Sequence, residues 1–177
     1  TLDRSSAASD VYKRQIPGPN VEAMIAVCRE RLAALPSDAT PVQQAAEVMD
    51  EVYKAFVYTP GSTTIRTTAE QALAQRKGVC QDYAHVMLSV CRHVGLTARY
   101  IAGLLGGEGA THAWVEVYQD GRWVGLDPTH NRLVDDSYIT IAHGRDYRDC
   151  MLDIGIFSGY NVQQSQWVNA SVHEQVA

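Results

Sequence analysis

The stretch "RKGVCQDYAHVMLSVCRHVG", residues 76 to 95, contains the change of pattern that decides the fold. From Tyr83 to Val94 apolar residues recur at the spacing of one helix face, and Gly95 is a typical helix stop. Beyond Gly95 the apolar period falls from 3.6 to 2, the period of strands. The sequence therefore predicts a helix that begins at Cys80, two residues after Gly78, and leads into a sheet.

Three further helices are predicted upstream of this one. Each has an apolar face and a capping residue at its start, and a proline or glycine ends the first and the third. The predicted caps and ends are Asn20 to Pro36 for the first helix, Thr40-Pro41 to Phe56 for the second, and a Thr67–Glu70 capping box to Gly78 for the third.

Five segments with alternating apolar residues follow the helices, as expected for strands of a sheet with one solvated face. They are residues 97–105, 112–118, 122–127, 138–144 and 165–176. Helices that precede a mostly antiparallel sheet are typical of the α+β class. We expect one domain over residues 16–177.

The first fifteen residues show no apolar period. The run "SSAASDVYKRQ" resembles translated adapter sequence from sequencing reads, and we exclude residues 1–15 from the expected domain as non-native or disordered. An ordinary flexible N-terminus is the alternative. In either case we expect that the natural protein can extend further upstream.

Composition and charge exclude several kinds of partner. Hydrophobic residues make up 46% of the 177 and charged residues 20%, values of an ordinary globular protein. The net charge of −5 and the lack of any Lys/Arg run argue against nucleic acid or a membrane surface as a partner. The oligomeric state cannot be inferred from these features.

The four cysteines favour a reduced, cytoplasmic protein. Cys28 and Cys91 lie on the apolar faces of their helices and are expected to be core residues. Cys80 and Cys91 are too far apart along one helix to form a disulfide. Because no CxxC spacing occurs, a thiolate metal cluster is not expected, and the sequence predicts neither a metal nor a cofactor.

Cys80 lies where a thiol gains reactivity. A helix start carries unpaired N–H groups and a partial positive charge, which stabilise a thiolate. The same N–H groups can hold the oxyanion that forms when sulfur attacks a carbonyl. Gly78 allows a sharp turn and leaves room for a substrate. A lone cysteine at such a position is nevertheless more often a core residue than a nucleophile.

A base and its orienting group are predicted from one hairpin. Asp120-Gly121 is a strong signal for a two-residue turn, and the resulting register places opposed residues so that their numbers sum to 241. His112 and Asp127 then lie on the same face as diagonal neighbours, within reach of each other. A register shifted by one residue would separate them. Taken singly, His112 is a half-buried strand histidine and Asp127 a turn former before Pro128.

The motifs "GVCQDYAHVMLSVCRHVGLTARYIAG" and "THAWVEVYQDGRWVGLDPT" together resemble the transglutaminase-like superfamily, whose core is a papain-like cysteine-protease fold. The resemblance runs from about Val42 to Val176. It implies that Cys80 is the nucleophile, His112 the base and later the acid, and Asp127 the group that orients it. Bacterial members often have "DPTN" where this chain has "DPTH", with His130, a change expected to matter little for the chemistry.

The resemblance implies acyl transfer on a peptide, isopeptide or glutamine side-chain amide, with hydrolysis favoured over cross-linking. The partner would be a protein or peptide substrate. The alternative is a non-catalytic module that holds peptides in the same groove. The backbone N–H of Cys80 is one expected oxyanion donor, and Tyr58, Gln75 and Gln81 are candidates for the second.

Some neighbouring residues have less distinctive interpretations. Trp114 shares the face of His112 and either shields a thioester or fills the sheet core. His85 and His93, on the Cys80 helix, are expected at the surface. Asp127 and His130 are too few ligands for a metal site.

Overall fold

The computed structural model describes residues 16–107 and 111–151. Four helices, which we label α1 to α4, occur in the first part of the chain. They are Pro19–Ala33, Pro41–Ala55, Ala69–Gln75 and Cys80–His93. The strands β1 to β7 are Val57–Tyr58, Lys77–Gly78, Ala98–Leu105, Thr111–Gln119, Arg122–Asp127, Arg132–Leu133 and Tyr138–Gly144.

Strands β3 to β7 form an antiparallel sheet in the order β6-β5-β4-β3-β7, and β1 pairs with β2 in parallel. The predicted α+β class is confirmed, and four of the predicted strands are found within a residue or so of their expected bounds. The two-residue strands were not predicted because two residues cannot show a period. Residues 1–15 and the predicted strand 165–176 lie outside the described residues.

Helix α2 begins as predicted. The Thr40 hydroxyl accepts the backbone N–H of Gln43, and the Gln43 side chain accepts the backbone N–H of Thr40. Pro41 occupies the first helical position, where its missing N–H costs nothing. Both halves of a capping box are therefore present.

The predicted cap of α1 is wrong. The helix starts at Pro19, one residue before Asn20, and the residue before it has no side chain to offer. Instead the carboxylate of Glu70, from α3, accepts the backbone N–H groups of Asn20 and Val21, each at 3.0 Å. A distant carboxylate thus satisfies the free donors at the start of α1.

The predicted capping box of α3 is displaced by one residue. Thr68 and Gln71 form it, not Thr67 and Glu70. The helix also ends earlier than Gly78, at Arg76, whose φ of 53° is left-handed. Gly78 belongs to β2, where it pairs with Tyr58.

Helix α4 lies at the centre of the molecule, between the other helices and the sheet. Ten consecutive residues of it, from Asp82 to Cys91, are buried. The expectation that His85 lies at the surface is therefore wrong. Its ring is 7% exposed and packs 5.1 Å from the Tyr100 ring. His93, at the end of the helix, is exposed as expected.

The two faces of the sheet have separate cores. Tyr100 and Val115 are among the residues that pack toward the helices, whereas Trp114 and Tyr138 pack together on the opposite face. Trp114 is fully buried there, which favours the sheet-core interpretation of this residue. A Cβ on Gly103 would come within 2.3 Å of the Trp114 ring. The indole can therefore occupy this position because residue 103 has no side chain.

Candidate active site

Cys80 is the first residue of α4 and is partly exposed. The carbonyl of Val79 accepts the N–H groups of Asp82 and Tyr83. Helix geometry therefore leaves the N–H groups of Cys80 and Gln81 without an acceptor inside the helix. The thiol stands beside two backbone donors at the positive end of a helix, as the sequence predicts.

The carboxylate of Asp82 fastens this helix start to a neighbouring loop. It accepts the backbone N–H of Val79 at 2.8 Å and the hydroxyl of Thr63 at 2.6 Å. A Cβ on Gly78 would lie 2.7 Å from the Asp82 Cβ. The space that Gly78 leaves open is thus taken by the protein's own carboxylate, and φ at Gly78 is not left-handed. The expected sharp turn and substrate space are not its role here.

The hairpin register agrees with the sequence prediction. Gln119 pairs with Arg122 and Val115 with Leu126, so that opposed numbers sum to 241. Asp127 is the last residue of β5, and its side chain lies on the same face of the sheet as that of His112 on β4. The His112 Nε2 and the Asp127 Oδ2 are 2.8 Å apart, and the two residues are 3% and 0% exposed.

Besides Asp127, the Cys80 side chain acts on the His112 ring by hydrogen bonding and charge, so the thiol lies next to the ring. The structure thus brings together the three side chains that the sequence singles out. Burial lowers the pKa of His112, but the hydrogen bonds and charges of Asp127 and Cys80 outweigh it and raise the pKa to about 10. These contacts favour the imidazolium form of the ring.

Asp127 has more partners than the sequence suggests. Its Oδ1 accepts the backbone N–H of Thr129 at 2.8 Å. Its Oδ2 lies 2.7 Å from the His130 Nδ1 and accepts the Tyr138 hydroxyl at 2.7 Å, besides contacting His112. Burial would raise the pKa of Asp127, but the bonds from His112, His130 and Tyr138 hold it well below its usual range. The carboxylate stays charged although it is fully buried.

Sequence reasoning missed Tyr138 and Arg132. The Arg132 Nε donates to the Tyr138 hydroxyl at 2.9 Å, and its guanidinium lies over the Tyr138 ring. Eleven residues separate Tyr138 from Asp127, and no local spacing signals their contact. His130 was noticed for its spacing to Asp127, but its direct contact with the carboxylate was not expected.

The ligand atoms of His112, Asp127 and His130 lie within 4.8 Å of one another, so these are the described residues best suited to hold a metal ion. The Oδ2 of Asp127, however, is only 2.8 Å and 2.7 Å from the two ring nitrogens. Ligands around a tetrahedral zinc would stand about 3.4 Å apart. The distances fit hydrogen bonds, and the buried carboxylate needs those bonds without any ion.

The other three cysteines differ from Cys80 in their surroundings. Cys28, Cys91 and Cys150 are buried. Burial raises the pKa of Cys28 and Cys150 to about 11 and that of Cys91 to about 12. The expectation that Cys28 and Cys91 are core residues is confirmed. None of the four is in a disulfide.

Of the candidates for a second oxyanion donor, Gln75 is engaged elsewhere. Its side-chain amide donates to the carbonyl of Lys77 at 3.1 Å and lies 3.5 Å from that of Ser62. Gln81 instead offers a backbone N–H next to that of Cys80. Within the parts of the chain that the structure describes, the helices lack the length and apolar character needed to cross a bilayer.

Comparison with known proteins gives three informative matches. An uncharacterized protein of Mycobacterium tuberculosis is 42% identical over an alignment 119 residues long, which covers 58% of this chain and 38% of that protein. The peptide-N(4)-(N-acetyl-beta-glucosaminyl)asparagine amidase of Drosophila melanogaster is 30% identical over 109 residues, 60% of this chain and 16% of the relative. A solved structure from Cytophaga hutchinsonii, provisionally named a cysteine protease, has a TM-score of 0.61 and 27% identity, covering 79% of this chain and 48% of that one.

The chain thus spans about two fifths of the length of the mycobacterial relative. The sequence model of the transglutaminase-like superfamily matches residues 26–128, more than half of the chain. That range includes Cys80, His112 and Asp127. Together with the fold, this match shows that the chain belongs to the transglutaminase-like superfamily.

Proposed function

We propose that this protein is a cysteine-dependent amidase or protease that forms a thioester on Cys80 and releases it to water. Its substrate is a protein or peptide, attacked at a backbone, isopeptide or side-chain amide. The observation that carries the proposal is the His112 ring, which contacts the thiol on one side and a buried carboxylate on the other. A nucleophile, a base and an orienting group in contact are the requirements of covalent acyl transfer.

The first step forms a carbon–sulfur bond and breaks a carbon–nitrogen bond. The Cys80 thiolate attacks the amide carbon, and the carbonyl oxygen takes up the electron pair as an oxyanion. His112 then gives its proton to the leaving nitrogen, which departs as an amine or ammonia. A proton donor is at hand because the pKa of the imidazole is raised to about 10.

The second step reverses the proton transfer. His112 takes a proton from water, whose oxygen attacks the thioester carbon, and the acid and free thiol are released. Asp127, charged and fully buried, keeps the ring in the orientation that serves both steps. The backbone N–H groups of Cys80 and Gln81 are the proposed oxyanion donors, since α4 leaves both without an internal acceptor.

Two observations support water over an amine as the acceptor. Trp114, the aromatic residue best placed in sequence to shield a thioester, is fully buried in the sheet core. The Drosophila relative is named an amidase, and its name describes an asparagine side-chain amide.

The proposal is tested by mass spectrometry of the protein incubated with a glutamine-bearing peptide library, with and without a primary amine. Hydrolysis adds about 1 Da to a deamidated glutamine or splits a peptide, whereas transfer adds the mass of the amine. Cys80→Ala is expected to abolish turnover. Cys28→Ala, which removes a thiol in α1, is the matched control and should leave turnover intact.

Two results would count against the proposal. Turnover by Cys80→Ala at the wild-type rate would remove the thiol from the mechanism. Peptides that bind with no change of mass, in both the wild type and Cys80→Ala, would favour the peptide-holding module instead.

A further inference from the structure

We infer that Tyr138 is a positioning residue for the proposed reaction, holding the Asp127 carboxylate in the place from which it orients His112, and that Arg132 acts through Tyr138. The inference rests on the proposed function and extends it beyond the three residues found from sequence.

The contacts form a chain from the surface to the thiol. Arg132, with a side chain 44% exposed, donates from Nε to the Tyr138 hydroxyl at 2.9 Å. Since that oxygen accepts from Arg132, its own proton is directed to the Asp127 Oδ2, 2.7 Å away. Oδ2 is the same oxygen that contacts the His112 ring, which in turn contacts Cys80.

The sheet itself determines where Arg132 lies. Asp127 and Arg132 are paired across β5 and β6, so their side chains leave the same face of the sheet. The two-residue strand β6 thereby holds the guanidinium of Arg132, a permanent cation, near the carboxylate of Asp127 but not in direct contact with it. Tyr138 fills the gap between the two, and the guanidinium carbon stands 5.1 Å from the centre of its ring.

The Tyr138 ring has a separate structural task, which allows the hydroxyl to be tested alone. The ring packs edge-on against Trp114, with centroids 5.3 Å apart, and belongs to the buried cluster on that face. Phenylalanine keeps this packing and removes only one oxygen atom. Burial and the neighbouring carboxylate raise the pKa of Tyr138, so the hydroxyl is a proton donor throughout the working range of pH.

The Tyr138 hydroxyl matters because it donates to Oδ2 of Asp127, the charged oxygen that orients the His112 ring. When the donor is lost, Oδ2 of Asp127 retains only imidazole partners, and the carboxylate can rotate toward His130. Such a movement draws the His112 ring away from the sulfur. Displacing a reacting group by about 1 Å can cost about 100-fold in rate, whereas substrate binding, which does not involve Tyr138, should not change.

The experiment compares wild type, Tyr138→Phe, Arg132→Gln and the double variant by two measurements. One is kcat and KM on the peptide that the wild type turns over. The other is the rate at which iodoacetamide alkylates Cys80 at pH 7, which needs no substrate. Tyr138→Phe is expected to lower both kcat and the alkylation rate about tenfold or more, with KM unchanged. Arg132→Gln should have a smaller effect, and none when added to Tyr138→Phe.

Wild-type kcat and alkylation rate in Tyr138→Phe would overturn the inference. So would an Arg132→Gln effect of equal size with and without the tyrosine, because Arg132 would then act on its own. If Tyr138→Phe fails to fold, Arg132→Gln alone decides, and an unchanged alkylation rate refutes the relay. Cys80→Ala, measured in parallel, separates these results from failure of the proposed function: its full activity would remove the thiol chemistry altogether.

Discussion

Asp127→Asn removes one negative charge from a fully buried position, and its effect on His112 can be worked out. The pKa of His112 is raised from 6.5 to about 10 against the cost of burial. At about 1.36 kcal/mol per pH unit, this net rise corresponds to about 5 kcal/mol in favour of the imidazolium, after the cost of burial has been subtracted. An opposite charge in contact accounts for about 1 to 3 pH units of such a rise.

We therefore expect Asp127→Asn to lower the pKa of His112 by about 1 to 3 pH units. The imidazolium then loses about 1.4 to 4 kcal/mol of stabilisation. The pKa is measured by NMR titration of the ring nitrogens, with His112→Gln to assign the signal among the six histidines.

Asp120→Asn is the matched control. It makes the same chemical change at an exposed turn residue with a φ of 50°, which asparagine accepts readily. A pKa of His112 that is the same in a folded Asp127→Asn variant as in the wild type would refute the electrostatic account of the site. The 2.8 Å contact would then hold the ring in place without influencing its charge.

Three further outcomes are expected. Iodoacetamide at pH 7 should label Cys80 well before Cys91, because burial raises the pKa of Cys91 to about 12; equal rates would contradict the structure. The raised pKa of His112 stabilises the fold fully below pH 6.5, and this contribution is lost as pH rises toward about 10. Urea unfolding at pH 6 and pH 9.5 should show this loss in the wild type but not in His112→Gln. Gly103→Ala should cost about 1 to 3 kcal/mol of unfolding free energy, since the new Cβ would stand 2.2 Å from the Ile139 carbonyl oxygen. An unchanged urea midpoint for Gly103→Ala would show that β7 moves aside freely.

The geometry between His112 and Asp127 could be predicted because a local signal determines it. Asp120 and Gly121 both have left-handed φ values, 50° and 84°, as a tight hairpin turn requires. Once the turn is located, strand geometry decides which residues share a face. Two residues at a turn therefore predict a contact between side chains fifteen positions apart.

Features that depend on packing between distant elements could not be predicted in this way. His85 lies off the apolar stripe of α4, and only the elements packed around the whole helix bury it. Glu70 sits at the start of its own helix but caps another one, since its carboxylate reaches Asn20 and Val21. The spacing of apolar residues shows which face of a helix is apolar, but it contains no information about which elements cover the other face.

The partners of Asp127 illustrate the same limit at the site itself. Three donors, from His112, His130 and Tyr138, converge on one oxygen that offers two lone pairs. They cannot all bond at full strength, so the position of Oδ2 is a compromise among the three donors. The orientation of His112 is then a property of the whole group of donors around Oδ2. Single substitutions around this oxygen will for that reason give effects that do not add, and only paired substitutions can assign the contribution of each donor.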